Sequence, residues 1–136
     1  MSDALEWLQN GGKSPTLVNP KVLQWDRGPI NPETGTAHTY AISGFNTETN
    51  PEGPEAAISE LILYFQNGVL PEVGANGVTP QILLEVLIDR FEGFQKGPFK
   101  CEENDVALSG MRKALDAIKA RMANREARGV ANTMQK

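Results

Sequence analysis

The chain has 136 residues, 40% apolar and 22% charged, with 13 Gly, 9 Pro, one Cys and one His. That is a globular composition and enough length for a core without staples; it excludes a disulfide framework within the chain and a cysteine-based zinc site, leaves a histidine-rich metal site without material, and gives any His-dependent triad His38 with no second candidate. The net charge of −4 is uneven: residues 1–75 carry three Lys/Arg against nine Asp/Glu, whereas residues 112–128 carry six basic residues against two acids. A short positive stretch on an acidic protein does not suit a DNA or RNA polymer, which asks for a broad basic face, and suits a compact anionic ligand better.

In chain order, residues 1–35 hold little pattern. Turn chemistry is present at Asn10-Gly11-Gly12-Lys13-Ser14-Pro15 and at Gly28-Pro29-Ile30-Asn31-Pro32, with a short strand expected between them at Lys21-Val22-Leu23-Gln24-Trp25. The opening Met1-Ser2-Asp3-Ala4-Leu5-Glu6 has neither a basic region nor an apolar run of the kind that leads secreted chains, and no apolar stretch in the sequence approaches 18 residues. The expectation is a chain with no membrane span in a reducing cytoplasm. Residues 36–43 alternate and are rich in β-formers, which predicts one strand, and residues 45–54 read as a long loop. A further strand is expected at Glu60-Leu61-Ile62-Leu63-Tyr64-Phe65-Gln66. Asn67-Gly68 and Asn76-Gly77 then mark two turns.

A first helix opens at Thr79, a credible cap, with Pro80 at the first helical position. Ile82, Leu83, Leu84, Val86, Leu87, Ile88, Phe91 and Phe94 make a wide apolar stripe, which predicts burial on more than one side until Gly97-Pro98 ends the helix. A second helix is expected from about Glu103 to Arg128. Its single apolar face comprises Val106, Ala107, Met111, Ala114, Leu115, Ile118 and Met122, and Gly110 offers a place for another backbone to approach. The fold class is therefore α+β: a small N-terminal antiparallel β-element within residues 1–78, followed by a two-helix αα-hairpin over residues 79–136.

No Walker-type phosphate loop or dinucleotide fingerprint is present, and no motif links Cys101 to His38. The arginines carry more information. Arg121, Arg125 and Arg128 fall on one stripe of the second helix, either solvated beside Glu126 or able to clamp phosphate bidentately. Asn104 falls on the same side as Met111, Ile118 and Met122, the packing side, where a polar group needs a partner: a local cap or a ligand. Phe94 either fills the core or stacks a flat base. Asn104 and Arg121 are 17 residues apart, about 25 Å along a helix. If both hold one small ligand, the second contributor comes from an antiparallel copy, in a symmetric dimer with shared pockets.

Phe65-Gln66-Asn67-Gly68, Glu72-Val73-Gly74-Ala75-Asn76-Gly77-Val78-Thr79, Leu87-Ile88-Asp89-Arg90, Phe94-Gln95-Lys96-Gly97-Pro98-Phe99, Glu103-Asn104 and Arg128-Gly129-Val130-Ala131-Asn132-Thr133 resemble the small phage Thoeris anti-defence sponges of the first family. Their helical hairpin is similar to that of anti-CBASS cyclic-dinucleotide sponges. The resemblance covers roughly residues 60–136. It implies a protein of the host bacterial cytoplasm that is not an enzyme and needs no cofactor or metal. Such proteins sequester the cyclic ADP-ribose isomer made by a TIR immune protein, so that the effector is never activated, and they form homodimers or larger assemblies such as homohexamers. Carried onto this sequence, Phe94 stacks on adenine, Asn104 bonds ribose or base, and Arg121 with Arg125, one turn apart, hold the diphosphate. Some relatives bind cyclic di- or trinucleotides at a second site. Ala107 and Ser109, with Arg128, Gly129 and Thr133, stand at its matching positions, although an acidic Asp105 stands where a basic residue would help. Two other expectations remain beside sequestration: an enzyme that degrades the same ligand, and a structural hairpin that only oligomerises.

Overall fold

The computed structural model describes residues 23–133. The turn expected at residues 10–15, and Lys21 and Val22 of the first expected strand, lie outside them. The architecture is α+β, as expected: short antiparallel strands, then helices. The chain forms two compact units, Met1–Tyr64 and Phe65–Lys136.

In the first unit, β1 (Gln24–Arg27), β4 (Thr39–Ser43) and β5 (Glu60–Tyr64) form an antiparallel sheet in the order β1-β4-β5. Arg27 pairs with Tyr40, and Thr39 with Tyr64. Trp25 and Tyr40 meet on this sheet with ring centroids 5.9 Å apart. A separate two-stranded hairpin joins β2 (Ile30–Asn31) to β3 (Thr36–Ala37). Asn31 builds its turn: the side-chain Oδ1 accepts the Glu33 N–H (2.8 Å), and the Asn31 carbonyl accepts the N–H of Gly35, whose φ is 76°. The single strand expected over residues 36–43 is thus two. The chain leaves one ladder at Ala37 and joins another at Thr39, with His38 between them, because its two halves have different pairing partners. The loop after β4 is closed by Thr47, whose N–H donates to the Ile58 carbonyl (3.0 Å) and whose Oγ1 accepts the Ile58 N–H (2.9 Å).

The second unit begins with a laced loop. Phe65 bridges Val78 in parallel, and the Gln66 N–H donates to the Val78 carbonyl. Between them lies α1 (Leu70–Val73), where the sequence predicts only a stretch between turns. Gly68 turns with φ 100°, as an Asn-Gly signal requires. Asn76 acts differently: its Oδ1 accepts the Asn67 N–H (2.9 Å) and its Nδ2 donates to the Asn67 carbonyl (2.7 Å). Gln66 matches it, donating to the Gly74 carbonyl and accepting the Asn76 N–H. Two side-chain amides therefore tie the loop shut.

The hairpin follows. In α2 (Pro80–Gln95), Thr79 Oγ1 accepts the Ile82 N–H. α3 (Glu102–Ala127) carries Glu102, Glu103 and Asp105 in its first turn, where acids complement the helix dipole. Gln95 pins the turn between the helices: its Oε1 accepts the Cys101 N–H (3.1 Å), while its Nε2 donates to the Cys101 carbonyl (2.8 Å) and to Asp105 Oδ1 (2.7 Å). Arg112 pairs with Glu92 across the helices at 3.3 Å.

Burial corrects three expectations. The core of the hairpin unit, among the described residues, consists of Ile88, Leu108 and Val130. α2 is covered along one stripe only, leaving Ile82, Val86 and Leu87 exposed, since a single antiparallel partner hides one side of a helix. On α3 the covered stripe runs through Asn104, Leu108, Met111, Leu115 and Ile118. Val106, expected on it, is 67% exposed, because five residues separate it from Met111, about 140° around the helix. Finally, a Cβ at Gly110 would meet nothing within 4 Å among the described residues, so none of their backbone packs there.

Candidate functional site

Phe94 sits on the last turn of α2, half-buried, with Phe91 edge-on at 5.4 Å and the Arg90 guanidinium over its ring at 5.1 Å. Asn104 lies on the first turn of α3, also half-buried, and its Nδ2 donates to the Phe99 carbonyl (3.2 Å). The hairpin turn thus places Phe94 and Asn104 at the same end, and Gln95 fixes the join between them. Arg90 and Gln95 were not singled out by sequence. The signal for Arg90 is its spacing, four residues before Phe94 on a helix. Gln95 gives none, because its partners lie beyond a turn.

Arg121 and Arg125 occupy the other end of α3. Arg121 is exposed and has no hydrogen bond or ion pair among the described residues. Arg125 is half-buried, and its Nη2 donates to the carbonyls of Val130 and Thr133, at 2.9 Å each. α3 is an unbroken helix from Glu102 to Ala127, so about 25 Å separates the Asn104 end from Arg121. Within one chain the aromatic and amide groups come together, and so do the two arginines, but the two pairs do not meet.

The residues of the expected second site are also spread. Ala107 is half-buried and Ser109 exposed near the start of α3, whereas Arg128, Gly129 and Thr133 follow its end. The Gly129 N–H donates to the Glu126 carbonyl (3.0 Å), and the Thr133 hydroxyl to the Val130 carbonyl (2.6 Å).

Elsewhere, a recess in the first unit is lined, among the described residues, by Gly44, Phe45, Asn46 and Ser59, none of them charged. Among the described residues, no group of three His, Cys, Asp or Glu is placed to hold a metal ion, and no helix is long and apolar enough to cross a membrane.

No family model matches the sequence. A curated relative does: Thoeris anti-defense 1 of Bacillus phage SBSphiJ7 is 42% identical over 72 residues, which cover 53% of this chain and 51% of that protein. The chain spans about half the length of the curated relative it matches. An identity of that size over 72 residues supports the resemblance carried by the motifs: across about half its length the chain is similar to Thoeris anti-defense 1.

Proposed function

We propose that this protein is a phage anti-defence protein that blocks Thoeris signalling by binding a cyclic ADP-ribose isomer without cleaving it. The observation that carries this reading is the grouping of side chains in a relative of Thoeris anti-defense 1: an aromatic ring and an amide at one end of α3, and two arginines with i, i+4 spacing at the other. Those are the parts a cyclic dinucleotide-like dianion needs. Phe94 stacks the adenine, Asn104 bonds the ribose or base, and Arg121 and Arg125 take the diphosphate with charge-assisted bonds. The 25 Å between the groups calls for a second chain lying antiparallel, so that each pocket is shared across a homodimer. Exposed Ile82, Val86 and Leu87 on α2 support assembly, as apolar surface that one chain leaves uncovered.

The site acts in the host cytoplasm and does no chemistry. Sequestration asks only for tight, slow-release binding by protein at least equimolar with the signal. The test is recovery. Protein saturated with the isomer is heat-denatured and the released nucleotide is analysed. Intact ligand is expected, at one equivalent per pocket; breakdown products would replace the sponge with a degrading enzyme. The absence of any shift in melting temperature, with normal assembly, would leave a structural oligomer. A second site for cyclic di- or trinucleotides would need the tail to refold, because the Gly129 N–H and the Thr133 hydroxyl are engaged with the chain's own carbonyls.

A further inference from the structure

The loop that leads into α2 holds two Asn-Gly pairs, Asn67-Gly68 and Asn76-Gly77. An asparagine followed by glycine is open to attack by its own main chain, because no Cβ shields the next nitrogen. The fold treats the two amides differently. Asn76 is held at both ends: Oδ1 accepts the Asn67 N–H at 2.9 Å, and Nδ2 donates to the Asn67 carbonyl at 2.7 Å. Its own N–H is also engaged, donating to Gln66 Oε1 at 3.0 Å. Asn67 is exposed, and its side-chain amide makes no hydrogen bond among the described residues. The Gly68 N–H, the group placed to attack that amide, makes none among them either.

We propose that Asn67 is a site of spontaneous deamidation, and that Asn76, the amide on which closure of the loop depends, is shielded from the same reaction. The Gly68 nitrogen gives up its proton to solvent and bonds to Asn67 Cγ. The Cγ–Nδ2 bond breaks, and the nitrogen leaves as ammonia, taking a proton back. Water then opens the five-membered imide to aspartate or to isoaspartate, and it is the only co-reactant. A free amide can turn its Cγ toward the next nitrogen. Asn76 must first give up both of its bonds, since its Cγ lies between the two bonded atoms. The consequences differ as well. Either product at position 67 keeps an N–H and an acceptor oxygen for Asn76: aspartate leaves the main chain as it was, and isoaspartate turns the former main-chain carbonyl into a carboxylate. A carboxylate at position 76 would still accept the Asn67 N–H, but it has no hydrogen to donate to the Asn67 carbonyl. The reaction is thus directed to the amide that the loop does not use and withheld from the one that ties it.

Cleavage after glutamate puts Asn67 in residues 61–72 and Asn76 in residues 73–85, so each site has its own peptide. The full chain is held at mildly alkaline pH, once native and once in urea. Samples are digested at mildly acidic pH, which halts the reaction, and the mass gain of each peptide is followed with time. In the native chain residues 61–72 are expected to convert, and residues 73–85 to convert roughly tenfold more slowly, the delay of first breaking two hydrogen bonds. In urea the two rates should converge. Conversion of Asn76 as fast as Asn67 in the native chain would overturn the shielding. No conversion of Asn67 in the native chain, with both sites converting in urea, would overturn its reactivity. A gap that persists in urea would place the difference in the neighbouring residues and overturn the role of the fold.

Discussion

The proposed pocket makes a quantitative prediction for chains mixed in one assembly. Asn104→Ala removes the amide end and Arg121→Ala the guanidinium end. α3 runs without a break between these positions, which keeps them about 25 Å apart in any one chain. Loss of Arg121 removes a charge-assisted contact worth about 1.5–3 kcal/mol, or roughly 10- to 150-fold in affinity. Each variant alone therefore has two weakened pockets per dimer. In a heterodimer of the two variants, one pocket carries both substitutions and the other carries neither. Two affinity tags isolate that heterodimer, and calorimetry with the preferred isomer should return wild-type affinity at about half the wild-type stoichiometry. An untagged equimolar mixture, half of it heterodimer, should recover about a quarter of the sites. Weak binding at every site of the purified heterodimer would refute the shared pocket, and so would full affinity in either variant alone.

Two further substitutions probe the hairpin. Gly110→Ala should stabilise the chain by about 0.5–1 kcal/mol in urea unfolding, since alanine costs less in a helix and nothing among the described residues stands within 4 Å of the new Cβ; destabilisation coupled to loss of the oligomer would mean that another chain's backbone uses the space. Gln95→Ala removes three hydrogen bonds across the helix turn and should cost about 1–2 kcal/mol, water replacing part of what is lost, with weaker nucleotide binding as Phe94 and Asn104 lose their common brace; a stability change under about 0.5 kcal/mol would show the turn to be held by other means.

The parts of this fold that were legible in the sequence are those decided locally. Thr79-Pro80 marks the start of α2 because a hydroxyl cap and a residue without an N–H are needed within two positions. Gly129 marks the end of α3 because a left-handed residue is needed there. What depended on distant partners was not legible. Residues 36–43 look like one strand, and only the choice of pairing partners breaks them at His38. Asn76-Gly77 reads as a turn, yet Gly77 is absent from the positive-φ residues and Asn76 works through its side-chain amide. On α3, period arithmetic placed Asn104, Met111 and Ile118 correctly on the packing side. It also admitted Val106, Ala114 and Met122, all exposed, and passed over Leu108, which lies four residues after Asn104 and is the most deeply buried of the described side chains. For the candidate site, the separation of its two halves followed from residue numbers alone. The bonds from Arg125 to the Val130 and Thr133 carbonyls did not, because those carbonyls come within its reach only after the tail has turned.

On the proposed reading, the two ends of α3 share one design. At one end, Gln95 bonds across the helix turn that separates Phe94 from Asn104 in sequence. At the other, tail carbonyls hold Arg125. A sponge has no transition state to stabilise, so its affinity depends on how little must be ordered when the ligand arrives. A rigid helix between two braced ends serves that need only if a second helix runs the opposite way alongside it, bringing the ring and amide of one chain to the guanidinium groups of the other. The length of α3 then becomes a specificity device. Inserting or deleting one full turn between Asn104 and Arg121 would keep both on their original faces while shifting one end by about 5.4 Å, and it should abolish binding in a chain whose hairpin still folds.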